Sequence, residues 1–301
     1  MKVYDCFTFY NEFELLELRL KALWDVVDYF VIVEADRTHT NKPKPYYFLE
    51  RQDDFRQFFP KIRHLPGQIR IPYKGVGDWQ IENAQRNAIM HGLFDAEPDD
   101  LIMVSDLDEI PAPDVICNLN AYNLLARQVG VTLIGGREEK LPARILMSAN
   151  DFLEIGSIAL IQKFHCYYFD WVNEELLWFG TSLTKRKNLT TPQELRVTKS
   201  MLLCADGGWH FSYMGGAERV INKMNSIVDG NELVVKSDEK LIDKRRVEES
   251  IAKGTDVYNR VGAPESQFVP FDVKKINLPC LNEFLRKYPY LLREPEKYFG
   301  T

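Results

Sequence analysis

Cysteine is scarce and unpatterned in this chain. The five residues Cys6, Cys117, Cys166, Cys204 and Cys280 are widely spaced, odd in number and contain no CxxC pair. That excludes a disulfide framework and a cysteine-built zinc cluster, and leaves free thiols in a reducing compartment as the expectation. No apolar run reaches the length of a membrane span. The opening MKVYDCFTFYNE lacks the hydrophobic region of a signal peptide, so a cytoplasmic setting is expected. Nor is positive charge in excess. The formal net charge of −6 argues against nucleic acid as a partner, because such surfaces must be basic to meet phosphates. It leaves room for one local basic pocket around a small phosphorylated ligand. Repeats and low-complexity tracts are absent too. What remains is ordinary globular material: 301 residues, 45% apolar and 27% charged, enough for one large domain or a domain with an appendage.

The first hundred residues alternate between two periods. Residues 2 to 10 are apolar and aromatic and predict a strand. Phe13, Leu16, Leu20, Leu23 and Val27 then recur at helical spacing. YFVIVEAD (29 to 36) is a continuous run of the kind buried on both faces of a parallel sheet. KIRHLPG (61 to 67) predicts a short third strand, and Asp78 an N-cap for a helix from Trp79 to about Phe94. LIMVSD gives another buried strand. This alternation predicts an α/β layer with a mostly parallel central sheet flanked by helices. From about 130 to 215 strand signals dominate: VTLIGG, KFHCYYFDW, LLWFGTSLTK and GWHFSYMGG. Charged, helix-compatible sequence follows. We therefore expect a catalytic domain over 1–216 and a helical appendage over 217–301 packed on it.

In such sheets ligands bind beyond the carboxyl ends of the strands, and here two strands end in acids. VIVEAD ends at Glu34 and Asp36, and LIMVSD runs into Asp106, Leu107, Asp108 and Glu109. In extended geometry Asp106 and Asp108 face one way and Glu109 the other. Two carboxylates at close range repel unless a divalent cation lies between them. Mg²⁺ and Mn²⁺ favour carboxylate oxygens and keep positions open for substrate phosphates. His210, in the glycine-bracketed GGWHFSYMGG, is the natural third ligand, and its imidazole favours Mn²⁺.

NEFELLELRLKALWDVVDYFVIVEADRTHTNKPKPYYF, GDWQIENAQRN, DLDEIP and GWHFSY together resemble glycosyltransferase family 17, over about residues 5 to 225. The resemblance implies a GT-A-like fold, a UDP-linked sugar donor, a transferred N-acetylglucosamine and inversion at the anomeric carbon. It matches Asp106 and Asp108 to the family's metal-binding DxD, His210 to its GWH histidine and Lys223 to a lysine just after that segment. Glu34 falls where such folds meet the nucleotide. Trp79 and Arg86 fall on the family's helix after the loop. The acceptor would be a glycan, a lipid-linked sugar or a cell-surface polymer.

Each of these residues also has a plainer role open to it. Glu34 either binds a ribose or base or simply faces water. Lys42 and Lys44 either reach a diphosphate or sit in a solvated loop. Trp79 either stacks on a ligand or anchors its helix in the core. Arg86 either clamps a phosphate or pairs with Glu82 four residues before it. Inverting transfer also needs a carboxylate base. Glu109 and Asp206 are the candidates, with Asp170 and Glu218 as outsiders, and Glu109 has a structural salt bridge as its other reading. The aromatic stretch KFHCYYFDWVNEELLWF reads as an acceptor wall or as core. Two other classes fit the same scaffold: a nucleotidyltransferase, against which the acidic FTFYNEFE after the first strand counts, and a non-catalytic carbohydrate-binding protein.

Overall fold

The computed structural model describes residues 1–121, 123–126, 143–198, 202–258 and 268–300. VTLIGG, at 131 to 136, lies outside them. The first half follows the sequence pattern closely. β1 (Val3–Thr8), β2 (Tyr29–Ala35), β3 (Ile62–Gly67) and β4 (Leu101–Asp106) lie side by side in the order β3-β2-β1-β4. All their pairings are parallel. α1 (Phe13–Leu23) crosses from β1 to β2, and α2 (Tyr47–Arg51) leads toward β3. α3 (Gln80–Asn87) continues as a 3-10 turn to Leu93, close to the expected span. Asp78 accepts the backbone N–H of Gln80, as a residue opening a helix should.

Alternation along these strands covers both faces of the sheet. Val3 and Phe7 join the large core with Leu16, Leu20 and Phe30, whereas Tyr4 and Cys6 pack with Val31, Ile102, Val104 and Ile89 on the other side. A parallel sheet is stable only when both faces are sheltered in this way.

Beyond β4 the sheet is mixed. β5 (Glu109–Pro111), α4 (Pro113–Cys117), β6 (Asn123–Ala126), β7 (Ala143–Ser148), α5 (Ala149–Leu153), β8 (Ser157–Cys166) and β9 (Trp171–Lys185) follow. α6 (Pro192–Thr198) and β10 (Leu202–Ser212) complete this half. The path runs β4-β9-β8-β10-β6-β7, with β5 pairing on β10. Only β8 and β10 run parallel within this stretch. The remaining elements are α7 (Ala217–Ser226), α8 (Val228–Lys236), α9 (Lys244–Lys253), β11 (Val269–Pro270), α10 (Leu281–Lys287) and α11 (Pro295–Phe299). Val220 and Met224 pack with Cys166, Tyr167 and Trp171, while Phe284, Leu285 and Leu291 join the main core. All five cysteines are free thiols. Among the described residues no helix is long and apolar enough to cross a membrane.

Candidate active site

β4 delivers Asp106 to the carboxyl edge of the parallel strands, where Thr8 of β1 is its register partner. The chain then turns at Leu107 and Asp108 before entering β5. The alternation expected of an extended chain therefore stops at Asp106, and Glu109 is not turned away from the acid pair. Its Oε2 accepts the backbone N–H of Asp106 at 3.0 Å.

A residue without any motif fixes this turn. Arg19 of α1 is fully buried and makes a bidentate pair with Asp5, at 2.6 and 2.8 Å. Its Nη1 donates to the backbone carbonyls of Asp106, Leu107 and Glu109 at 2.9–3.0 Å, and its Nη2 donates to Ser105 Oγ. The guanidinium thus holds the turn from beneath. The clue was its place on α1, three residues after Leu16 and four before Leu23, in the middle of the buried stripe. An arginine there must find partners for its charge inside the protein.

The turn's carboxylates are met by the chain's own cations. Asp106 Oδ1 accepts from Arg86 at 3.1 Å and Oδ2 from Arg196 at 3.0 Å. Arg196, on α6, also donates to Glu109 Oε1 at 2.5 Å, and Trp178 Nε1 donates to that oxygen at 2.8 Å. Lys223 Nζ lies 2.6 Å from Asp108 Oδ2. Burial alone would raise the Asp106 carboxyl, but Arg196 and Arg86 outweigh it and hold it well below the usual carboxylate range. Burial likewise opposes Lys223 and His210 at Asp108, and again the charges win and hold the carboxyl low. Behind them, Glu82 pairs with Arg86 at 2.8 Å and with His39 at 3.2 Å. Its carboxyl sits at about 2: burial raises it, and His39 and then Arg86 more than compensate. Arg86 is therefore both the partner of Glu82 and a contact of the acid pair, so the two roles open to it in sequence are not exclusive.

His210 lies on β10 opposite Glu109 of β5. Its Nε2 is 3.4 Å from Asp108 Oδ2, and its Nδ1 is buried with no hydrogen-bond partner. Trp178 and Phe164 pack on the ring, with centroids 4.3 and 4.9 Å away. Part of the aromatic stretch thus lines the site, while Tyr167, Phe169 and Trp171 are core. The glycine before Trp209 has a defined purpose. Gly208 has φ +133°, and a Cβ there would lie 2.2 Å from the carbonyl oxygen of Ile110. Only glycine lets β10 approach the acid turn this closely.

Of the expected metal ligands, Asp108 and His210 meet, and Asp106 stands beside them with both oxygens held by arginines. Among the described residues no group of three His, Cys, Asp or Glu side chains converges to hold a metal. Carboxylate oxygen with imidazole nitrogen is a donor set that suits Mn²⁺. The donor chemistry of Asp108 and His210 would fit such an ion, and Lys223 Nζ lies on the same Asp108 oxygen.

The other expected residues scatter. Glu34 is fully buried and accepts from Phe48 N at 3.2 Å, with His64 Nε2 at 3.1 Å and Lys44 Nζ at 3.4 Å. It fixes the segment after β2 from within instead of facing water. Lys44 is accordingly neither solvated nor extended toward a ligand, and burial lowers its pKa. Trp79, 42% exposed, is no core anchor. Asp206 is exposed on a bulge of β10 at φ +52°, away from His210's contacts. Glu109 is fully buried among Arg196, Trp178 and Asp106 N. Asp170 caps the backbone of Arg293 and Glu294, and Glu218 pairs with Lys244 at the surface.

Comparison with known proteins places this geometry in context. Residues 1–133 match the sequence model of Glycosyltransferase family 17. The human protein named beta-1,4-mannosyl-glycoprotein 4-beta-N-acetylglucosaminyltransferase is 33% identical over 121 residues, which is 38% of this chain and 22% of that protein. Its rat and mouse counterparts are 33% and 32% identical over the same length. The matched stretch thus spans about a fifth of the length of these relatives, at 22% of each. The family match over residues 1–133 contains Arg19, Arg86 and the acid turn, whereas Arg196, His210 and Lys223 lie beyond it.

Proposed function

We propose that this chain, whose residues 1–133 carry the sequence of glycosyltransferase family 17, is a glycosyltransferase with a GT-A-like arrangement. It takes N-acetylglucosamine from a UDP carrier and adds it, with inversion, to a glycan or glycolipid. The observation that carries this reading is the acid turn at the carboxyl edge of β4, ringed by Arg86, Arg196 and Lys223. The name of the human and rat relatives, a mannosyl-glycoprotein N-acetylglucosaminyltransferase, supports the sugar and a glycan acceptor.

A nucleotide-sugar transfer asks a site to hold a diphosphate and to offset the charge it gains on leaving. Guanidinium groups match phosphate oxygens in bidentate fashion, and an ammonium meets them as a point charge. Arg86 and Lys223 sit where that charge would arrive. Their charges rest on Asp106 and Asp108, and these contacts keep the site assembled. Arg196 is committed twice, to Asp106 and Glu109, and acts as the brace between β4, β5 and α6. Asp108 and His210 would hold a divalent cation, with Asp106 left to its two arginines; when bound, the ion supplies Lewis-acid neutralisation of the leaving diphosphate. Lys223 would have to yield its place on Asp108 to that ion.

The test is a donor screen. The protein is incubated with a panel of nucleotide sugars, with Mn²⁺ or with EDTA, and release of nucleotide is recorded. Slow hydrolysis of UDP-N-acetylglucosamine, dependent on Mn²⁺, is the expected result. No hydrolysis of any nucleotide sugar in either condition would overturn the reading.

A further inference from the structure

β1 does more than carry the sheet's central register. Its carboxyl end leads directly into Tyr10, Asn11 and Glu12, beside the acid turn. Together with Tyr213, Asn222 and Lys223 these residues line a small cleft, which Lys223 links to Asp108. Two tyrosine rings, two amides and a carboxylate suit a sugar. Ring faces pack against its C–H surfaces, while amides and carboxylate hydrogen-bond its hydroxyls. Tyr10 and Asn222 meet across the cleft at 3.4 Å, so β1's end and α7 form its two walls.

The carboxylates near the acid turn differ in what they have left to offer. Asp106 is taken by two arginines, Asp108 is held by Lys223 with His210 close by, and Glu109 is buried under Arg196 and Trp178. Glu14, also in the cleft, is clamped by Arg219 and Tyr290. Glu12 is different. One oxygen accepts the N–H of Asn11 at 3.1 Å, and the other lies 3.9 Å from Lys223 Nζ. Its side chain is 27% exposed. A single ammonium thus separates an accessible carboxylate from the acid turn.

We infer that Glu12 is the catalytic base, taking its proton from an acceptor hydroxyl that reaches the mouth of this cleft, an assignment that rests on the glycosyltransferase reading above. The acceptor hydroxyl gives its proton to the Glu12 carboxylate as its oxygen bonds to the anomeric carbon. The bond from that carbon to the diphosphate oxygen breaks, and its electron pair leaves with the nucleoside diphosphate. Glu12 then returns the proton to water. Lys223 from α7, the Glu14–Arg219 pair and the hydroxyls of Tyr10 and Tyr213 are the charged and titratable groups that line the cleft with it.

The experiment uses the full chain and Glu12→Gln. The substitution keeps the side chain's shape and gives up only the 3.9 Å approach to Lys223, so the melting temperature should stay near wild type and UDP affinity by calorimetry should not fall. Turnover of the nucleotide sugar identified in the donor screen should fall roughly 100-fold or more, and the acid limb of the kcat profile should vanish. Glu12→Asp should restore part of the rate together with that limb. Wild-type turnover with an unchanged acid limb in Glu12→Gln would overturn the assignment. So would loss of UDP binding in step with turnover, since that makes Glu12 a donor contact. If wild type itself neither binds UDP nor consumes any nucleotide sugar, both readings fall together.

Discussion

The Arg19→Met substitution probes the support of the site and leaves its surface untouched. Arg19 and Asp5 are both completely buried. Removing the guanidinium leaves a carboxylate without a partner in the core, and breaking such a pair costs about 3–5 kcal/mol. The three carbonyls of the acid turn lose Arg19 as a donor as well, Glu109 keeping Thr181 Oγ1 at 3.2 Å, at about 1–3 kcal/mol for each one left unmet. Urea denaturation followed by tryptophan fluorescence and far-UV circular dichroism should therefore show a loss of at least about 3 kcal/mol. The double variant Asp5→Leu/Arg19→Met separates the two contributions. With the stranded charge gone, it should recover about 2 kcal/mol or more over the single variant, because apolar replacements for a buried pair are often close to neutral. The carbonyls of Asp106 and Leu107 still lack Arg19, so the turn stays slack and UDP binding stays weak even as stability returns. A loss under about 1 kcal/mol in Arg19→Met, against the expectation for a buried pair, would refute the reasoning. Additive losses in the double variant, or full UDP affinity in it, would do the same.

Three further outcomes are expected. Gly208→Ala places a methyl 2.2 Å from the Ile110 carbonyl at φ +133°; it should cost about 2–4 kcal/mol in denaturant midpoint experiments, and unchanged stability would remove β10's close approach as a constraint. Asp108→Asn removes the negative charge that Lys223 and His210 meet; donor turnover should drop, with some loss of melting temperature, and normal turnover would exclude Asp108 from the chemistry. His165, fully buried with Nε2 unpartnered, is held at about 3, chiefly by burial. Its folded value lies below the unfolded one of about 6.5, so the unfolded chain takes up the proton first and stability falls as pH drops below 6.5. Between pH 7 and 5.5 wild type should lose about 1.3 kcal/mol more than His165→Gln, and equal losses would place a proton on the native imidazole.

The parallel half of the sheet was legible because its periods are clean. Residues 29 to 36 can only be a strand buried on both faces, and the stripe from Phe13 to Leu23 can only be a helix lying on it. The acid turn was legible for the same reason: charges that interrupt an apolar strand end where the sheet meets solvent. What was not legible depends on chain segments far apart in sequence. Arg196 sits in TPQELRVT, which has the composition of any surface helix, yet it lies buried between Asp106 and Glu109. Glu34 and Lys44 each had a ligand contact or a solvated position open to them, and neither reading foresaw that the chain folds back and Phe48 N closes over the carboxylate. Glu12 drew no attention because its meaning comes from Lys223, more than two hundred residues later. Local pattern reveals which residues are buried, whereas the partners of a buried charge come from topology.

The central claim, that the cation-ringed acid turn receives a nucleotide diphosphate, is tested most directly by titrating UDP into the protein in a calorimeter, with Mn²⁺ and with EDTA. The account predicts saturable binding at one site, tighter with Mn²⁺ and weakened by Arg86→Leu. Absence of saturable UDP binding in both conditions, or affinity untouched by loss of Arg86, would contradict it.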